Sequence, residues 1–338
     1  MRNNNFDIVR LALALIVVLT HCFDLSQNPS LEFILHLVSA RIAVEGFFAI
    51  SGFLIFASYD RAANLKEYFT NRAYRILPGY WLSTLFCLVI AFSMGHFHVG
   101  PFLFANLSFL TFLHPGIPGV FARNPDNDAM NGALWTIKIE VMFYFAVPII
   151  VWLCRRLHRD AVLGTLFVLS IVYRVVLSDR HESLSIQLPG QLAFFMTGAL
   201  IYYHLSFFKK HGIVLMAASA LAFALHTWTG WFFLRPAPVA ALTLGASLLL
   251  PHIKGPTRWG DFSYGTYILH YPIIQLLVAA GVFAFNPWLG TGFALLIVAI
   301  AAPLSWFFVE KPALTHSKSR RLRRAALGEA ANFPPAVP

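Results

Sequence analysis

The chain has 338 residues, 58% of them hydrophobic and only 12% charged, with a formal net charge of +10 and a mean hydropathy of +0.67. A soluble domain carries about 25% charged residues, so the composition excludes a water-soluble enzyme and makes lipid the solvent. The basic residues sit in short clusters between apolar runs rather than in one patch, which excludes a nucleic-acid-binding role and fits membrane topology instead.

The first apolar run, FDIVRLALALIVVLTHCF, carries Asp7 and Arg10 where a cleavable signal peptide would be apolar, and no small-residue cleavage site follows. It reads as a retained first helix. Further runs long enough to span lie at 42–59, 78–97, 134–154, 161–178, 189–207, 212–227, 237–251, 265–285 and 290–309, which with 7–25 makes ten. The run 237–251 is the weakest. Between 98 and 133, FLFANLSFLTFLHPGIP is too short and too interrupted to span and reads as an interfacial or re-entrant segment, with NPDND (124–128) as a polar turn. From 315 the chain is basic, then Ala- and Pro-rich, and reads as an unstructured tail. The expected organisation is therefore a membrane domain over 1–314 and a tail over 315–338.

An even number of spans puts both termini on one side. With the N-terminus inside, the inner segments hold about eighteen Lys and Arg, among them Arg2, Lys254 and Arg258, while the outer ones hold only Arg41, Arg123, Arg180 and Arg235. The fold class expected is an all-α, polytopic membrane helix bundle with both termini in the cytoplasm. Cys22, Cys87 and Cys154 lie in or at the ends of apolar runs without metal spacing, so neither a metal centre nor a disulfide framework is expected.

Intramembrane charge is costly, at about 3 kcal/mol per residue on insertion scales. Yet the runs keep Arg10, Glu45, Lys138, Glu140 and Arg174, with Asp7 and Glu310 near helix ends. Such groups are expected to face one another or a wet cavity. Arg10 and His21 are eleven residues apart, almost three helical turns, so they leave the same face at a separation of roughly 16 Å. His21 is either an inert, hydrogen-bonded histidine near a helix end or a base that takes a proton from a hydroxyl. Asp24, one turn later, is in reach to hold the imidazole in one tautomer. Cys22 lies about 100° around the helix, which argues against a Cys–His dyad.

Thr136, Glu140 and Tyr144 follow at i, i+4 and i+8 and share a face, with Lys138 pointing elsewhere. They form either a structural network or part of a site, and Arg10 and Arg75 are both candidate partners for Glu140. Ser263, Thr266, Tyr267 and His270 form a polar stripe facing the bundle interior, with His270 read as a packing histidine. Arg72 and Arg75, placed just ahead of the 78–97 run, are either topology anchors or an anion clamp, since arginines at i and i+3 point the same way and grip phosphate in forks. No Walker loop or Rossmann fingerprint is present.

In this order the motifs resemble the acyltransferase-3 family of integral membrane acyltransferases, over residues 6–312. The family's arginine, ten residues, histidine signature corresponds to Arg10 and His21. EGFFAISGFLIF (45–56), which contains Ser51, is similar to its second-helix motif, and Arg72–Ala–Tyr–Arg75 to its arginine pair. LWTIKIEVMFY (134–144) is similar to its Trp–Ser/Thr–Leu–x–x–Glu block, with Glu140 as the glutamate. SYGTYILHYPI (263–273) and Trp306…Glu310–Lys311–Pro312 match its closing motifs. Ile137 and Lys138 depart from the leucine and the small or apolar residue usual in that block.

The resemblance, strongest to stand-alone rhizobial-type exopolysaccharide acetyltransferases, implies O-acyl transfer in a bacterial inner membrane. An acyl group, usually acetyl, would move from acetyl-CoA, a co-substrate rather than a resident cofactor, to a hydroxyl of an exported or cell-envelope carbohydrate such as exopolysaccharide or O-antigen. Polysaccharide-assembly proteins are expected partners. In that scheme Arg72, Arg75 and, deeper in, Arg10 hold the donor. His21 is the base or the acyl acceptor, and Glu140 orients His21 or binds the sugar. Asp24, Glu45, Ser51, Tyr144, His270 and Glu310 supply the polar network. The competing expectation is a transporter of a sugar or a lipid-linked oligosaccharide, against which stands the lack of internal repeats and paired Gly/Pro-broken helices.

Overall fold

A computed structural model describes residues 4–253, 255 and 259–326. Arg2, Lys254 and Arg258 of the inner charge, and residues 327–338 of the tail, lie outside the described residues. The chain forms α1 (Phe6–Ser26), α2 (Ala40–Asp60), α3 (Leu65–Ser93), α4 (Trp135–Arg156), α5 (Arg159–Ser178), α6 (Leu188–Tyr203), α7 (Leu205–Thr229), α8 (Pro236–Leu248), α9 (Ser263–Ala279), α10 (Pro287–Ser305) and α11 (Lys311–Ala326). Each of α1–α10 overlaps one of the ten expected runs. Eight helices among the described residues are long and apolar enough to cross a membrane. The 13-residue α8 and the 17-residue α9 are too short by that measure. Twelve of the 17 residues of α9 are buried inside the bundle.

Two expectations need correction. The third helix begins at Leu65, not at 78. Asn64 caps it, its Oδ1 accepting from Glu67 N at 2.8 Å while Glu67 Oε2 accepts from Ala63 N at 3.1 Å, a cap that starts the helix well ahead of the apolar run. Arg72 and Arg75 therefore sit inside α3 rather than ahead of it. The basic tail, expected to lack structure, instead continues from a π-turn at Trp306–Glu310 as α11, which reaches Ala326. Ser317 Oγ donates to Asn71 Oδ1 at 3.0 Å and fastens α11 to the start of α3. The 98–133 segment holds one short helix, Gly100–Leu107, and otherwise irregular chain.

Backbone-to-backbone contact joins α2 to α6. A Cβ on Gly52 would collide with the Phe195 carbonyl, and one on Gly198 with the Ala49 carbonyl, so small residues permit the close approach that drives helix association in lipid. Prolines inside helices free carbonyls that lipid cannot satisfy. Pro148 frees Tyr144 C=O, which accepts from Tyr68 Oη at 3.1 Å. Pro272 frees Ile268 C=O, which accepts from Ser83 Oγ at 2.9 Å and Asn131 Nδ2 at 2.8 Å. Each proline thus becomes a fastening between helices.

Of the intramembrane charges, Glu45, Arg174 and Arg10 pair with oppositely charged partners distant in sequence. Glu45, in α2, takes Arg174 Nη2 of α5 at 3.2 Å and Arg235 Nε, just before α8, at 2.7 Å. At one end of the bundle Asn5 Nδ2 donates to Leu250 O and Pro251 O at 3.1 and 3.0 Å. The starts of α1, α3 and α9 and the end of α8 gather there. At the opposite end Asn28 Nδ2 donates to Phe283 O at 3.3 Å and Arg41 pairs with Glu182.

Candidate active site

A cavity opens among α1, α2, α3, α4 and α9. Arg10 enters it from α1, Ser51 from α2, Arg72 and Arg75 from α3, Thr136 and Glu140 from α4, and Ser263, Tyr264 and Tyr267 from α9. Helix periodicity explains the gathering: Arg72 and Arg75 share one face of α3, and Thr136 and Glu140 one face of α4. The lining carries three guanidiniums and one carboxylate, and two of the guanidiniums are paired with aspartates at its edge.

The arginines are not equivalent. Arg75 Nη2 contacts Asp261 Oδ2, and Arg10 Nη2 reaches the same oxygen at 3.1 Å and Asp7 Oδ1 at 2.5 Å. Asp261 precedes α9, and Ser263 Oγ donates to its Oδ1 at 2.5 Å. Burial pushes the Asp261 carboxyl up, but the Arg10 and Arg75 guanidiniums outweigh it and hold the group well below the usual carboxylate range. Arg72 is less committed. It donates to Ser58 Oγ at 3.0 Å and lies 5.7 Å from the centre of the Tyr144 ring, and no carboxylate is bonded to it among the described residues. Arg10 Nε and Arg72 Nε are buried without a hydrogen-bond partner there. Two orphan guanidinium donors beside one cavity fit an anionic ligand.

Glu140 accepts from Tyr144 Oη at 2.7 Å, and Thr136 Oγ1 meets Tyr267 Oη at 2.8 Å, so the face predicted on α4 is real. Lys138 does point elsewhere, to Gln187 Oε1 at 2.7 Å and over the Phe112 ring. Two pairings differ from expectation. Neither Arg10 nor Arg75 bonds Glu140, because Asp261 already holds both. No hydrogen bond joins Glu140 to His21 among the described residues: Glu140 accepts from Tyr144 and lines the cavity, and His21 meets His270. Glu45 is likewise absent from the lining, its charge being absorbed by Arg174 and Arg235. Glu310 accepts from Ser305 Oγ at 2.7 Å and leaves Oε2 buried and unpartnered.

His21 meets His270 instead. His21 Nδ1 and His270 Nε2 are 2.7 Å apart, and His270 Nδ1 lies 2.7 Å from Tyr267 O. Asp24 bonds neither ring, so the expectation that it holds the imidazole is corrected: the partner comes from α9. His270, read in the sequence as a packing histidine, is fully buried but bonded at both nitrogens. Tyr271 meets His21 edge-on, with ring centres 5.4 Å apart.

On the far side of the histidines lies a second cleft. Ser26, Gln27 and Asn28 line it after α1, Val278 and Ala279 at the end of α9, and Phe121, Arg123 and Asn124 from the 98–133 segment. Along α1 the order is Arg10 in the cavity, then His21, then Ser26 in the cleft. Along α9 it is Ser263, Tyr264 and Tyr267, then His270, then Val278. On both helices the histidine pair lies between the two openings.

Sequence reasoning missed Asp261 as the shared counterion and Arg235 as a partner of Glu45. Asp261 carried one signal, an acidic residue just ahead of an apolar helix start. Arg235 carried none beyond its charge.

The acyltransferase-3 family model, described as an acyltransferase domain, matches residues 3–310. The chain is 26% identical to nodulation protein 10 of Rhizobium leguminosarum bv. viciae, over 96% of this chain and 96% of that protein. It is 27% identical to an O-acetyl transferase of Shigella phage Sf6, over 94% and 98%. It is 29% identical to the exopolysaccharide production protein ExoZ of Rhizobium meliloti (strain 1021), over 88% and 96%. No solved structure matches. With a family match spanning nearly the whole chain, and its signature residues divided between an arginine-lined cavity and a histidine pair, the chain belongs to the acyltransferase-3 family and is a membrane O-acyltransferase rather than a transporter.

Proposed function

We propose that the protein moves an acetyl group from acetyl-CoA, entering from the cytoplasmic side of a bacterial inner membrane, to a hydroxyl of an exported or cell-envelope carbohydrate. The observation that carries this reading is the order on α1 and α9: arginine cavity, histidine pair, outer cleft. The charge bias at the helix ends favours the inner side for the cavity. A donor rich in phosphate suits three guanidiniums, two of them with orphan Nε–H groups. Arg72, the arginine without a carboxylate partner, grips the phosphates, while Arg10 and Arg75 are held in place by Asp261. The thioester reaches past Tyr267 toward His21, and the sugar comes from the cleft beyond Ser26. The names of two relatives, an O-acetyl transferase and an exopolysaccharide production protein, favour acetyl as the group and a polysaccharide as the acceptor.

In the reaction the acceptor oxygen attacks the thioester carbonyl as His21 removes its proton. A C–O bond forms, the C–S bond breaks, and the proton passes from His21 to the departing thiolate. Glu140, with Tyr144, sits beside the donor rather than at the proton.

The test uses the full chain in nanodiscs with acetyl-labelled acetyl-CoA and a polysaccharide acceptor, with acetate on the glycan read by NMR. Label should appear on the glycan with the native protein and not with His21→Ala. Label that accumulates on the protein without acceptor would replace direct transfer by an acyl-histidine path. Glycan acetylation undiminished in His21→Ala would refute the assignment.

A further inference from the structure

We infer that His270 is a positioning residue that fixes the tautomer of His21, so that His21 presents an unprotonated Nε2 to the acceptor hydroxyl. Its consequence for the reaction rests on the proposed acyl transfer, whereas the placement of the protons does not.

The protons follow from the acceptor at the end of the chain. Tyr267 C=O can only accept, so at 2.7 Å the His270 Nδ1 must carry the hydrogen. A neutral imidazole has one N–H, which leaves His270 Nε2 as an acceptor. His21 Nδ1, 2.7 Å away, is then the donor, and the single proton of a neutral His21 is placed on Nδ1. The Nε2 of His21 is left with its lone pair and no hydrogen-bond partner among the described residues. The opposite polarity would need a doubly protonated His270. That ring is fully buried with no carboxylate bonded to it, so a second proton there would be an unpaired buried charge.

The surroundings hold this arrangement rigid. The ring planes of His21 and His270 are within 7° of each other with centres 5.0 Å apart, so nitrogen faces nitrogen, edge to edge, in nearly one plane. The turn of α9 that carries His270 is pinned where Pro272 frees Ile268 C=O, which Ser83 and Asn131 take up. Tyr271, next to His270, hydrogen-bonds Asn127 Oδ1 at 3.0 Å and sets its ring against His21. As His21 takes the acceptor's proton, its Nδ1–H remains bonded to His270 Nε2, so the imidazolium keeps an acceptor. A neutral imidazole anchored on a backbone carbonyl here performs the orienting work for which many hydrolases use a carboxylate.

The experiment is histidine ¹⁵N NMR on the full chain in nanodiscs, with the two rings assigned by the signals lost in His21→Gln and His270→Gln. The expected native pattern is His21 protonated at Nδ1 and bare at Nε2, with His270 the same. In His270→Leu, His21 should shift toward the Nε2–H form and acetyl transfer should fall by about 10²–10⁴-fold with KM for acetyl-CoA little changed. In His270→Gln the amide oxygen reaches the place of Nε2, so His21 should keep its Nδ1–H and transfer should recover at least about tenfold over the leucine variant. A native His21 carrying its hydrogen on Nε2 overturns the inference, as does an unchanged tautomer in His270→Leu. The NMR pattern needs no turnover: native protein with the expected pattern but no transferase activity would sink the proposed reaction and support the proton placement.

Discussion

Glu45→Gln keeps the shape of the side chain at the junction of α2, α5 and the start of α8, and removes only its charge. Glu45 is 1% exposed and Arg174 4%, with the carboxylate 3.2 Å from Arg174 Nη2 and 2.7 Å from Arg235 Nε. At an effective dielectric of about 20, a pair of unit charges near 3 Å attracts by about 5 kcal/mol, most of which offsets the cost of desolvating both groups. The substitution therefore acts through what it leaves behind, one buried and one partly buried guanidinium with no counterion, at a cost of about 3–5 kcal/mol. Because Glu45 does not line the arginine cavity, this loss should appear in stability while KM for acetyl-CoA stays constant. The assay is the fraction of detergent-purified protein that stays monodisperse after heating. Glu45→Gln should lower the midpoint, and the triple variant Glu45→Leu, Arg174→Met, Arg235→Met should recover most of it, since an apolar trio carries no desolvation debt. A Glu45→Gln protein that melts with the native one, or a triple variant less stable than the single, would refute this account of the junction.

Other substitutions separate fastening from chemistry. Tyr68→Phe removes the donor to the carbonyl that Pro148 frees and should cost about 1–3 kcal/mol; the same change in a Pro148→Ala background should cost clearly less, as a double-mutant cycle in thermal stability would show. Arg72→Lys keeps the charge but loses the planar fork, so KM for acetyl-CoA should rise several-fold with kcat nearly constant; an unchanged KM would reduce Arg72 to a topology anchor. The low-lying Asp261 carboxyl contributes stability that is present above the unfolded value of about 3.9 and lost as pH falls through the lower folded one. The gap in melting midpoint between native protein and Asp261→Asn should therefore be flat from about pH 5 to pH 8 and should narrow below about pH 4; a gap that changes across neutral pH would contradict this.

Much of the helix order was readable because lipid imposes a simple rule: runs of about twenty apolar residues separated by charged turns. Faces on single helices were readable for the same local reason: Thr136 and Glu140 line one cavity, and Ser263, Thr266, Tyr267 and His270 are all buried in the bundle. What escaped was pairing between helices. Nothing near Glu45 announces Arg174 and Arg235, which lie 129 and 190 residues away. Asp24 looked like the natural partner of His21 because it is one turn distant, but rotation of α1 against α9 gives that place to His270. The start of α3 was misplaced because the expected span followed the apolar run, whereas the Asn64–Glu67 cap lies outside that run. The site is thus local in its residues and non-local in their roles.

The proline fastenings impose an order on how this chain can change. If Pro272 is replaced first, the backbone N–H restored at 272 can reach Ile268 C=O, and Ser83 and Asn131 become surplus donors on an already satisfied group. If the donors are lost first, the same carbonyl is stranded in a dry interior. One route is nearly level and the other crosses a barrier, although both end at the same sequence. Around the turn that carries His270, substitutions should therefore be tolerated in one temporal order and rejected in the reverse. Libraries built on the native sequence should tolerate the loss of either donor but not of both, while libraries built on a proline-free α9 should leave this carbonyl satisfied without them.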